Sequence, residues 1–71
     1  MKLTPEEEAR FVREMIPMVS ETVRAGRRFR ISADTPDLVR MFQAVTSGVS
    51  DVLGHPVRGY GNGREFFIEN A

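Results

Sequence analysis

Residues 27–38 read Arg27-Arg28-Phe29-Arg30-Ile31-Ser32-Ala33-Asp34-Thr35-Pro36-Asp37-Leu38, and the change of rhythm within them decides the fold. Over 27–33 apolar and polar residues alternate: Phe29 and Ile31 point one way, Arg28, Arg30 and Ser32 the other, as in a half-buried strand. At Thr35 the alternation stops and a helix begins. The Thr hydroxyl can accept from a backbone N–H that has no intrahelical partner, and Pro36 gives up a donor that would have had none. Asp37 suits the positive end of the helix dipole. The same punctuation occurs at Thr4-Pro5-Glu6-Glu7, where Thr4 and Glu7 are spaced as a capping box. Each helical stretch runs to a glycine, Gly26 or Gly54, suited to the left-handed residue just past a helix end.

The first helix is expected over residues 5–25. Val12, Met15, Ile16, Val19 and Val23 recur at three- and four-residue spacing, and Phe11 and Met18 widen the stripe. Pro17 removes one intrahelical bond, but the stripe keeps its phase across it, which favours a kink over a break. The second helix is expected over 36–53, with Leu38, Phe42, Val45, Val49 and Val52 on one face. Beyond His55-Pro56, strand-like runs over 56–60 and 64–69 flank Gly61-Asn62-Gly63. Asn-Gly between such runs predicts a type I′ hairpin, which would set Tyr60 opposite Glu65 and Arg58 opposite Phe67.

The element order is therefore α-β-α-β-β. A right-handed crossover through the second helix makes the first two strands parallel, and the third returns antiparallel to the second. Its Phe66-Phe67-Ile68 run is the most apolar and belongs at the centre of the sheet. The expected fold is one α+β domain over residues 1–71. Two helices pack on one face of a three-stranded mixed sheet of order 1-3-2, burying Phe29, Ile31, Val57, Phe66 and Ile68.

Seventy-one residues provide one thin core, so the chain should be only marginally stable alone. The absence of cysteine excludes disulfides and thiolate metal sites, leaving a partner subunit or a larger target as the remaining staple. Formal net charge is zero, which excludes both the positive field of non-specific nucleic-acid binders and the acidic excess of a phosphate mimic. No apolar run approaches the roughly 20 residues of a membrane helix. The N-terminus turns acidic at once, unlike a secretion signal, so the expected compartment is the cytoplasm.

Two helices leave one sheet face open, carrying Arg28, Arg30, Arg58, Tyr60, Glu65, Phe67 and Glu69. The expected function is a non-enzymatic binding module, a small regulator or inhibitor of a larger protein. It would dock through this face or through the first-strand edge, with Arg28, Arg30, Arg58, Tyr60 and Phe67 carrying the contact. The first edge has no proline, whereas Pro56 and Gly59 blunt the second. The alternative is a single-stranded nucleic-acid platform, in which aromatics stack on bases and arginines hold phosphates; Glu65 and Glu69 oppose it. A homodimer burying the face is a third reading. The charges also make sense with no partner at all, as cross-strand Arg–Glu pairs with the stem of Arg58 over Phe67.

Catalytic and cofactor motifs are not evident. A lone His55 with no cysteine falls short of the three or four ligands zinc needs, and its place past a helix end suits it to capping. The Gly59–Gly63 stretch leads into a strand rather than a helix N-terminus, so a hairpin explains it better than a phosphate loop. No Gly-x-Ser-x-Gly or Ser/His/Asp arrangement is visible, and so small a core rarely supports a catalytic cleft. No metal, cofactor or enzymatic activity is expected.

Overall fold

The computed structural model describes residues 3–71. Its elements are α1 (Pro5–Arg24), β1 (Phe29–Ser32), α2 (Pro36–Leu53), β2 (Val57–Gly61) and β3 (Glu65–Asn70). Both helix starts form as their sequences dictate. The Thr4 hydroxyl accepts from Glu7 N–H while the Glu7 carboxylate accepts from Thr4 N–H, completing the capping box. The Thr35 hydroxyl accepts from Leu38 N–H. α1 runs through Pro17 without a break. It ends in a Schellman motif: Gly26, at φ +78°, donates to Val23 O, and Arg27 N–H donates to Thr22 O.

The sheet order is β1-β3-β2, with the Phe66-Phe67-Ile68 strand central. β1 and β2 run in the same direction, but neither touches the other. Each pairs antiparallel with β3, so the sheet expected to be mixed contains antiparallel ladders throughout. Its helix-facing side holds Phe29, Ile31, Val57, Phe66 and Ile68. Phe66 and Ile68, on the central strand, are fully buried, and the other three are half-buried. Phe42 of α2 joins the layers, its ring packed against Phe11, Phe29 and Phe66. Val19, Val23, Val45 and Val49 complete the core.

The two helices lie side by side and point the same way. Glu8 meets Arg40, Phe11 meets Phe42 and Ile16 meets Gly48, in step along both axes. α2 packs chiefly on β2, whereas α1 reaches β1 and β3. Close approach explains Gly48, where a Cβ would fall 2.3 Å from Ile16 Cδ1. It also explains Gly59 of β2, where a Cβ would lie 2.3 Å from Thr46 Oγ1 and 2.8 Å from the Phe66 ring.

The hairpin differs from the expected one by two residues. Tyr60 pairs with Phe67 and Arg58 with Glu69, rather than with Glu65 and Phe67. The two-residue loop is Gly63-Arg64, with Asn62 and Glu65 flanking it. Only Gly63 takes positive φ, at the first central position that type II′ turns reserve for glycine. The cause is the Asn62 side chain. Its Oδ1 accepts from both Arg64 and Glu65 N–H, at 3.0 and 2.8 Å, and fixes Asn62 as the first residue of the turn. A shift of two preserves strand parity, so each side chain keeps its expected face.

Candidate functional site

The open side of the sheet is organised by β3. Phe67 lies at its middle, with Arg30 directly opposite on β1 and Tyr60 directly opposite on β2. Register alone thus brings three of the five expected contact residues into one row across the strands. Arg58 takes the next row, opposite Glu69. Arg28 precedes β1, and its guanidinium lies over the Phe67 ring, 4.7 Å from the centroid. All five residues share one surface.

Phe67 is not a free anchor, however. It is only 9% exposed, because the Tyr60 ring stacks on it at 5.2 Å while Arg28 covers it from the β1 side. The expected cover, the stem of Arg58, lies elsewhere: Arg58 reaches over Tyr60, 5.5 Å from its ring. The outermost apolar surface belongs to Tyr60, at 37% exposure. The resulting centre is an aromatic pair capped by a cation, a contact that strengthens when water is excluded.

Ion pairs border this centre. Arg58 donates from Nε and Nη2 to Glu69 Oε2, and Arg30 Nε lies 3.2 Å from Glu65 Oε2. The hydrogen bonds from Arg58, aided by its charge, hold the Glu69 carboxyl below its ordinary value of 4.5, and the same contact raises Arg58. Tyr60 OH also donates towards Glu69, at 3.4 Å. Arg28 has no carboxylate within 4.0 Å among the described residues, and its charge reaches Glu69 only at longer range.

His55 is occupied structurally. Asn70 Nδ2 donates to Val23 O at the end of α1, which leaves Asn70 Oδ1 as acceptor for the His55 Nε2–H at 2.8 Å. The pair ties the end of β3 to the ends of both helices. Comparison with family models, curated proteins and solved structures found no match to this chain. Among the described residues no helix is long and apolar enough to cross a membrane.

Two further features escaped sequence reasoning. An open apolar groove of about 430 Å³ runs between the first halves of α1 and α2, lined by Ala9, Val12, Ile16, Met41 and Ala44. The Glu8–Arg40 ion pair closes one end, and Asp37 also receives Arg40 at 3.0 Å. The sequence carries both apolar stripes but not the parallel arrangement that aligns them. The second feature is an orphan: Ser20 Oγ is buried on α1 without a hydrogen-bond partner.

Proposed function

We propose that this chain is a small non-enzymatic binding module that docks on a larger protein through its open sheet face and regulates or inhibits that protein. The supporting observation is the arrangement of the face: a Tyr60–Phe67 aromatic pair beneath Arg28, bordered by the Arg58–Glu69 and Arg30–Glu65 ion pairs. An apolar centre carrying Tyr and Arg within a polar rim is the usual anatomy of protein interfaces. A phosphate backbone is less well suited to it. Two of the face's arginines already hold carboxylates, and net charge is zero. The cytoplasm is the compartment that best suits this reading.

The test is capture from the source cells with and without nuclease, followed by affinity measurement on the purified partner. Capture should survive nuclease, and Tyr60→Ala should weaken affinity by about thirtyfold, the scale of one interface hot spot. Unchanged affinity, with helicity retained, would refute this use of the face. Capture lost to nuclease, with binding of a labelled oligonucleotide at low salt, would replace it with the single-stranded nucleic-acid reading.

A further inference from the structure

We propose that the β1 edge is a docking site for a second copy of this chain, β1 against β1 in antiparallel sense about a two-fold axis. Pairing at this edge uses backbone groups that the open face does not, although Arg28 lies at the margin of both. Ala33 N–H donates to Arg64 O at 2.9 Å, which identifies the odd-numbered residues of β1 as those bonded to β3. By the alternation of an antiparallel ladder, Arg30 and Ser32 then direct their N–H and C=O groups outward. The edge holds no proline or glycine to discourage a further strand, whereas the opposite edge strand contains Gly59 and Gly61.

The layer above this edge is apolar and unfinished. α1 lies on the β1 side of the sheet and α2 on the β2 side, so the flank of α1 turned away from α2 overhangs β1. Helical spacing places Met15, Met18 and Thr22 on that flank, with Phe11 beside them and turned inward onto Phe42. Met18 is 52% exposed, and Phe11, Met15, Phe29 and Ile31 remain half-buried although they adjoin the core. Pairing the two β1 strands would bring the two α1 flanks to face one another across the axis. One association would then pair the edge and cover the flank.

Charge selects the register. A two-fold axis through Arg30 would set the two Arg30 side chains opposite one another, and an axis through Phe29 would set Arg28 against Arg30. An axis through Ile31 sets Arg30 against Ser32 and Arg28 against Asp34. An axis through Ser32 also separates the arginines but gives the carboxylate to Arg30, which already holds Glu65; the axis through Ile31 gives it to Arg28, which has none within 4.0 Å.

Sedimentation velocity on the intact chain over a range of concentrations tests the proposal. The mass should rise towards twice the chain's 8.0 kDa. Arg30→Pro, which removes an outward N–H, and Met18→Glu should each raise the dimer dissociation constant at least about tenfold, with the circular dichroism unchanged. Arg28→Asp and Asp34→Arg should each weaken the dimer, and combining them should restore it. A monomer at every concentration up to about 1 mM would overturn the proposal, as would a dimer indifferent to these changes. Should Arg30→Pro unfold the chain, the Arg28/Asp34 exchange decides alone: restoration supports the register, and additive loss refutes it.

Discussion

Gly59 and Gly61 lie on the same strand and face the same layer, yet a methyl group should be costly at the first and nearly neutral at the second. At Gly59 a Cβ would fall 2.3 Å from Thr46 Oγ1 and 2.8 and 3.0 Å from Phe66 Cε1 and Cζ. Neither neighbour yields cheaply. The Thr46 hydroxyl donates to Phe42 O at 2.8 Å, and Phe66 is fully buried in the centre of the sheet. At Gly61 the nearest atoms stand 3.5 Å away, an ordinary contact. Overpacking of a tight site costs about 1–3 kcal/mol, against a gain of about 0.5 kcal/mol from stiffening the unfolded chain. Gly59→Ala should therefore destabilise by about 1–2 kcal/mol, lowering the melting temperature of so small a domain by about 4–16 °C. Gly61→Ala should stay within about 0.5 kcal/mol of the parent. Thermal and urea unfolding followed by circular dichroism measure both. Adding Thr46→Ala to Gly59→Ala should recover part of the loss, a coupling of about 0.5 kcal/mol or more in a double-mutant cycle. Equal stability of the two glycine variants, or strict additivity with Thr46→Ala, would refute the close-approach explanation.

Two more tests probe the face and the core. Because Arg58 lowers the Glu69 carboxyl in the folded state, the pair's contribution is present above the unfolded carboxylate value and lost as pH falls through the lower folded one. A carbon-detected NMR titration should therefore find Glu69 below 4.5, and Arg58→Ala should move it upward. Phe42→Ala removes the ring that meets Phe11, Phe29 and Phe66, and should cost about 3–5 kcal/mol, enough to unfold much of a marginal 71-residue chain at room temperature.

The elements were legible because local chemistry specifies them. Thr-Pro-acid marks both helix starts, positive-φ glycines follow both helix ends, and Phe66-Phe67-Ile68 is apolar enough to claim the centre of the sheet. The hairpin register was misread because Asn62 uses its side chain rather than its backbone: an Asx turn competes with the Asn-Gly type I′ turn for the same residues. The face kept its membership because the shift was even. Its internal order was not legible. Which arginine covers Phe67 depends on how the chain enters β1 after Gly26, and Arg28 arrives there where Arg58 was expected. The role of Gly59 was likewise hidden. Its neighbours, Thr46 and Phe66, lie on other elements, and the sequence contains no sign that they converge there.

The shared direction of α1 and α2 gathers both positive dipole ends at one pole of the molecule, a mutual repulsion that an up-and-down helix pair avoids. Glu6, Glu7 and Glu8 of one helix and Asp37 of the other are stationed at that same pole, with Arg40 bridging Glu8 and Asp37. Glu8, which reaches across to Arg40 of α2, therefore stands between the two helix starts. A lysine exchanged for Glu8 would remove the tie to Arg40 and set a positive charge beside the start of its own helix, so one substitution would trouble both helix beginnings together.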